Sequence, residues 1–345
     1  MTPWYRHFVG TLSFCLVAVA IGAWKGGAGA VGTVLFLALL EASLSFDNAV
    51  VNAGILTGWN EIWRRRFLTW GMAIAVFGMR LVFPVVIVAV AAGIGPIKAV
   101  DLALYHPAEY GHALEGAQHQ IAGFGGAFLM MVFLHFFVAH HKTEHWLRPV
   151  ERALSRLGKM ESIEAALTLV ILLAASWLIG DSARQGQFVV AGVWGVVTFV
   201  LIKGMAALLG GGEAESHTLR VVRQGAAGFA YLEVLDASFS FDGVVGAFAI
   251  TNDLIVIALG LGAGAMFVRS FTLLLVERGA LDTYRYLEHG AFWAVGALAV
   301  IMLVGVEFHV PEAITGLIGA VLIVLALASS IRANRKSSVQ GETKR

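Results

Sequence analysis

Two stretches of this sequence place carboxylates inside apolar runs. Residues 41–51 read EASLSFDNAVV, and residues 236–246 read DASFSFDGVVG. Aligned without a gap, Ala42, Ser43, Ser45, Phe46, Asp47 and Val50 coincide with Ala237, Ser238, Ser240, Phe241, Asp242 and Val245, and Glu41 meets Asp236. Glu233 lies one helical turn ahead of Asp236. An acid at membrane depth costs about 2.5–3.5 kcal/mol on insertion scales and marks a functional site by default. These carboxylates have the amides of Asn48 and Asn52 and the hydroxyls of Ser45 and Ser240 close in sequence. Such an oxygen-only donor set suits hard divalent cations such as Mn²⁺, Mg²⁺ or Ca²⁺, and without a thiolate it suits Cu(I) less well.

Two arginines accompany the acids. Arg80 (in FGMR) and Arg269 (in FVR) each fall on the helix that follows a motif helix. Five acids against two bases leave a negative excess, which attracts a cation or is neutralised by protons when empty. The arginines are expected to hold acids in place or to close a gate, the plainer alternative being packing by ion pairs alone. His135 could add an imidazole, although a lone intramembrane histidine more often packs between helices with one hydrogen bond. Glu41 and Asp47 are six residues apart, about 120° around a helix, and Asp236 and Asp242 repeat that offset. Straight helices would not aim both acids of a motif at one ion, so unwinding is expected near Ser45–Asn48 and Ser240–Gly243.

The elements that carry these residues are membrane spans. Of the 345 residues 58% are hydrophobic and 14% charged, against about 25% charged in a soluble domain. Ten spans can be marked, near 8–24, 29–57, 67–95, 120–141, 162–180, 187–209, 222–250, 254–276, 289–307 and 311–331. The expected fold is all-α, a polytopic membrane helix bundle. The first motif falls in the second span and the second motif in the seventh. The two motif helices then cross in opposite directions, which implies two inverted five-helix repeats, 1–180 and 187–331, followed by a polar cytoplasmic tail, 332–345. That is the architecture of secondary transporters with a midplane site. The first span is read as a retained helix rather than a signal peptide, despite the small residues Ala18-Val19-Ala20.

Charge sets the orientation. With both termini in the cytoplasm, nineteen of the 24 Lys and Arg fall on inner segments and three, Lys25, Lys98 and Arg184, on outer loops. The asymmetry follows the positive-inside rule and sets the orientation, and the expected location is a bacterial plasma membrane. Two connecting segments stand out. Residues 97–119 hold Asp101, His106, Glu109, His112, Glu115 and His119 and are expected to form a solvated, weakly helical outer loop, the alternative being a pore mouth that gathers cations. Residues 142–161 space Trp146, Leu147, Val150, Leu154 and Leu157 as an amphipathic helix at the inner interface, with a partner-docking surface as the alternative.

The motifs resemble those of a known family. EASLSFDNAVV resembles the E-x-x-x-S-x-D-N-A signature of the TerC family of integral membrane proteins, and YLEVLDASFSFDGVVGAFAITND is similar to its second acidic signature. The closing stretches YLEHGAFWAVGALAVIMLVGVEF and VPEAITGLIGAVLIVLALAS are also similar, and the likeness covers roughly 30–95 and 222–331. It implies a link to tellurium resistance and manganese export, with Glu41, Asp47, Asn48, Glu233, Asp236 and Asp242 as metal ligands. Gly243 stands where the family usually has Ser, Glu307 where a Lys is common, and 97–161 is longer and richer in His.

Together these features imply a secondary exporter of divalent cations, manganese foremost, with the ion as substrate and no resident cofactor. A membrane accessory protein that meets a translocation or assembly complex and supports metal loading of exported proteins is the alternative. No nucleotide-binding glycine motif and no H-E-x-x-H occurs, so neither ATP drive nor a metalloprotease is expected. The lone Cys15 excludes an intrachain disulfide, and no basic stripe suggests nucleic acid.

Overall fold

Long apolar runs with few charges leave the chain one way to satisfy its backbone in a bilayer, and that is helix. The computed structural model describes residues 6–71, 73–138, 144–209, 225–251, 253–308 and 310–342, and among them it is all-helical. The first half runs α1 (Arg6–Leu44), α2 (Phe46–Thr57), α3 (Glu61–Arg66), α4 (Phe83–Ala91), α5 (Pro96–Tyr105), α6 (Pro107–Gly116), α7 (Gln118–Val138), α8 (Arg148–Leu157) and α9 (Ile163–Ser176). The second runs α10 (Ser182–Leu209), α11 (Ala226–Ile250), α12 (Leu254–Glu277), α13 (Ala280–Thr283), α14 (Leu287–Val304) and α15 (Glu312–Glu342). Two π-helical segments, Phe67–Gly71 and Ile74–Val82, lie between α3 and α4.

Among the described residues seven helices are long and apolar enough to cross a membrane. Their outer surfaces are apolar, with Leu16, Leu39 and Val90 each more than 70% exposed. The charged groups Glu41, Asp47, Arg80, Glu233, Asp236 and Arg269 are buried instead. Apolar side chains outside and ionic groups inside are the arrangement a bilayer selects, and the protein is a polytopic helical membrane protein. Helix α7 is the central post, with 89% of its apolar window buried, packed against α10 and α14.

Helix α1 doubles back on itself. Gly26 and Gly27 leave helical geometry, with Gly27 at φ 61°, ψ −150°, a conformation open to glycine. A Cβ on Gly22 would lie 3.3 Å from Val34, so the two arms face each other. Both arms pack along α12, and Lys25 at the bend pairs with Asp253, whose carboxylate also caps α12 through Ile255 N and Val256 N.

Three expectations are corrected. Residues 97–119 are helical, as α5 and α6 broken at His106 before Pro107, but more than weakly so and not wholly solvated, since Ala99, Ala103, Tyr110 and Leu114 are buried against the bundle. The sequence 332–342, free of proline and rich in helix formers, prolongs α15 rather than forming an irregular tail. The inner amphipathic helix is shorter than 142–161, covering Arg148–Leu157, and the charge on its Glu151 points into the bundle. Of the inner-segment charges, Lys142, Arg220, Arg223, Lys344 and Arg345 lie outside the described residues.

Candidate functional site

Acidic residues of α1 and α11 form two matched acid–arginine pairs. Arg80 Nη2 donates to Glu41 Oε1 at 2.5 Å, and Arg269 Nη2 donates to Asp236 Oδ2 at 2.7 Å. Glu41 and Asp236 are the residues that align between the two motifs, and each takes the arginine of the following membrane segment. The helices pass in opposite directions where they touch. Asn52 Nδ2 donates to Asp236 Oδ1 at 2.8 Å, while at the other end Glu41 Oε2 lies 3.0 Å from where a Cβ on Gly243 would be.

The π-helical segments explain how the arginines are held. A π-turn offsets the backbone ladder by one residue and leaves carbonyls open to other donors. Arg80 also donates to Ala75 O, and Arg269 donates to Phe67 O at 3.3 Å and Gly71 O at 3.0 Å. The Arg269 guanidinium also stacks over Phe67 at 3.9 Å. Glycine makes the close approaches. A Cβ on Gly264 would stand 2.5 Å from Glu41 Cβ and 2.7 Å from Ala38 O, so α12 meets α1 at the stem of Glu41.

The expected unwinding is confined to a one-residue break at Ser45, between α1 and α2. Ser45 departs from helical angles at φ −95°, ψ 22°, but Ser45 N still donates to Glu41 O at 3.0 Å and Ala49 N to Ser45 O at 3.2 Å. Helix α11 runs unbroken through Ser240–Gly243. The polar groups converge because two helices present them to each other, so neither has to open.

The expected site residues fall into three places. Glu41, Ser45, Asn48, Asn52, Asp236 and Ser240 line one cavity, together with Arg80 and Arg269. Asp47 lines a second cavity with Glu41, Ser45, Phe239, Gly243 and Thr315, and its Oδ1 accepts from Asn48 N at 2.9 Å. Glu233 stands apart. It is 3.7 Å from Arg269 and pressed on Gly71, where a Cβ would meet its Oε1 at 2.6 Å. Asp242 is carried on α11, and its side chain lies outside the described residues. His135 is not at the site. It contacts Glu164 at 3.5 Å and Lys203 at 3.4 Å, between α7, α9 and α10.

The cavity of Asn48 holds unmatched acceptors. Asn48 Oδ1, Asn52 Oδ1 and Ser240 Oγ are buried with no hydrogen-bond partner among the described residues, and the same is true of both Glu233 oxygens. Unpaired buried oxygens cost free energy unless water or an ion meets them. Among the described residues no three His, Cys, Asp or Glu side chains gather as a metal cluster, so an ion held here would draw on amide and hydroxyl oxygens beside two carboxylates. Sequence reasoning missed Thr315 and the carbonyls of Phe67, Gly71 and Ala75. Nothing local announces the π-turns that expose those carbonyls, and Thr315 reaches the cavity only through the packing of α15.

No match is found among curated proteins or solved structures. A family model does match residues 46–337, and the chain belongs to the family described as Protein of unknown function (DUF475).

Proposed function

We propose that this protein is a secondary transporter that exports divalent metal cations, manganese foremost, through the cavity between α2 and α11. The observation that carries this reading is the set of three unpartnered oxygens, Asn48 Oδ1, Asn52 Oδ1 and Ser240 Oγ, beside Glu41 and Asp236. Hard cations take six or more oxygens and accept amide and hydroxyl donors among them. Each carboxylate is neutralised by an arginine when no ion is present. An entering ion would compete with the guanidinium for the carboxylate, which couples occupancy to a rearrangement of α2 or α11. Among the described residues Asp47 has no arginine partner and Glu233 has only the 3.7 Å contact with Arg269, so two further carboxyl groups stand near the pairs. Chloride or an oxyanion would meet five acids for two bases and is disfavoured.

The inverted-repeat reading is part of this proposal. The bend in α1 makes two arms, and α9 and the acid-bearing α11 would raise the seven long apolar helices to ten spans. The antiparallel contact of α2 with α11 and the repeated acid–arginine pairing support two repeats related by inversion. Both termini would then be cytoplasmic, in a bacterial plasma membrane, and the kinship to TerC proteins would extend to substrate. The accessory reading draws on one feature, the outward face of α8 and its flanks, where Val150, Leu157 and Met160 are exposed.

The test is Mn²⁺ uptake into inverted vesicles holding the purified protein, wild type against Asn48→Leu, Asp47→Asn and Asp242→Asn. The expected result is uptake by the wild type and a tenfold or greater loss in each variant. No flux of Mn²⁺, Mg²⁺ or Ca²⁺ by folded protein would sink the reading. Loss of cellular function on replacing Val150 and Leu157 by Ser, with flux intact, would move the assignment to the accessory role.

A further inference from the structure

Two cavities lie on either side of one side chain. The first runs toward α14 and α15 and is lined by Asp47, Gly243, Leu298 and Thr315; the second runs toward α12 and the π-helical segment and is lined by Asn48, Met79, Ser240 and Val268. Glu41 and Ser45 are the residues that line both. Along α2 the second cavity reaches farther toward the C-terminal end, to Asn52. Along the antiparallel α11 it reaches farther toward the N-terminal end, to Asp236. The cavities are therefore displaced along the helices as well as separated across them.

We propose that the Glu41 carboxylate, held by Arg80, is a gate that closes the connection between these cavities. Glu41 is 3% exposed and, with Ser45, stands where the two cavities adjoin. Its Oε1 takes both retaining bonds, from Arg80 Nη2 at 2.5 Å and Ser45 Oγ at 3.0 Å. Its Oε2 is turned to α11, 3.0 Å from the Cβ position of Gly243. Gly243 leaves that space open, and a larger residue would fill it.

The matched pair across the site is not built to open. Asp236 is held by two side chains, Asn52 and Arg269, and Arg269 is fixed by two backbone carbonyls and the ring of Phe67. Arg80 has one carbonyl, Ala75 O, on its own π-helical segment, and its Nε has no partner among the described residues. Of two pairs alike in sequence, the one on the partition is the less anchored. Withdrawal of Arg80 with its segment would free Glu41 to rotate and join the cavities.

Only the identity of what passes this gate rests on the transport reading, because the gate can be read without any ion. The experiment uses the full chain with Cys15→Ser, which removes the sole cysteine. Thr315→Cys reports on the first cavity and Val268→Cys on the second. Each is reacted with a membrane-impermeant thiol reagent from either face of oriented vesicles. With Glu41 and Arg80 intact, the two reporters are expected to react from opposite faces only. In Glu41→Gln/Arg80→Gln, which removes both charges together, each is expected to react from both faces, with at least a tenfold rise on the formerly silent one. Arg80→Lys is the second variant should the double one fail to fold, and it is expected to give an intermediate rise. An unchanged one-sided pattern in the folded variants would overturn the gate. So would two-sided labelling, or none, in the parent. Flux without one-sided labelling would leave the transport reading standing and remove this one.

Discussion

Asn52 and Asp236, 184 positions apart, are joined by a hydrogen bond of 2.8 Å from the Asn52 amide to Asp236 Oδ1. The bond ties α2 to α11 at the level of the paired acids, and it gives Asp236 a donor in addition to Arg269. It also fixes which way the Asn52 carbonyl oxygen faces. That oxygen is left buried and unpartnered, beside Asn48 Oδ1.

Replacing Asn52 by Leu is therefore expected to cost about 1–2 kcal/mol of stability, the value of one hydrogen bond to a charged group tempered by partners found within the membrane. Asn52→Asp is expected to cost more, because it sets a carboxylate against Asp236 in a low-dielectric site. Thermal unfolding of the purified protein in detergent reads both. Equal midpoints for Asn52→Leu and wild type would show that the bond does not hold the helices together.

The acids, their arginines and the opposed directions of the two motif helices were legible in the sequence. Repeated residue types in apolar runs carry that information, and Arg80 with Glu41 and Arg269 with Asp236 pair as the alignment pairs them. The division of the acids was not legible. Asp47 lines only the first cavity while Asp236 lines only the second, because α14 and α15 pack on one side of α2 and α12 on the other, and no periodicity within α2 reports its neighbours. Glu151 was misplaced for a related reason. A carboxylate reads as part of the polar face, although Glu151 falls four residues after Leu147 and three before Leu154, on their face of the helix. The helices of 97–119 were obscured by charge density. Their buried residues, Ala99, Ala103 and Tyr110, are small or amphipathic and make a weak stripe.

The contact of α12 on α1 should be intolerant of added volume. Gly264→Ala brings a methyl within 2.7 Å of the Ala38 carbonyl and 2.5 Å of Glu41 Cβ, neither of which can swing away. Overpacking of this kind costs about 1–3 kcal/mol. Gly243→Ser meets the far end of the Glu41 side chain at 3.0 Å, and its hydroxyl can donate to Glu41 Oε2, so it is expected to cost less than Gly264→Ala. The ranking of the two unfolding midpoints checks the geometry around Glu41, and a reversed order would contradict it.

At the bend of α1 the ion pair of Lys25 with Asp253 should give a small acid dependence. Burial pushes the Asp253 carboxyl up, but Lys25 and the N–H groups of Val256 and Ile255 outweigh it and hold the group below its usual range. The unfolded chain, at about 3.9, then binds more protons than the folded one between the two values, so stability rises with pH there. The contribution is complete above the unfolded value and is lost as pH falls through the lowered folded one. Both partners are partly exposed, so it should also fade with salt. Unfolding midpoints from pH 6 down to 3 are expected to converge between wild type and Lys25→Met. A constant difference across that range would assign the effect of Lys25 to packing.

Glu151 is the anchor of the inner helix α8. It is 1% exposed, and its carboxylate accepts from Trp146 N at 2.9 Å, Leu147 N at 3.1 Å and Trp293 Nε1 at 3.1 Å. His145 and His289 stand 3.6 and 3.7 Å from the same oxygen. The two backbone donors are orphans at the start of α8, and the indole belongs to α14, so one carboxylate both caps the helix and docks it. In Glu151→Ala all three donors lose their acceptor, and α8 should detach well before the bundle unfolds. Limited trypsin digestion reads this at Arg152 and Arg156, where cleavage is expected to rise at least tenfold while the midpoint of the membrane core moves little. Glu151→Gln keeps one carbonyl acceptor and should fall between. If Glu151→Ala is digested no faster than wild type, then α8 is held by Leu154 and its apolar neighbours, and the buried carboxylate is tolerated rather than required.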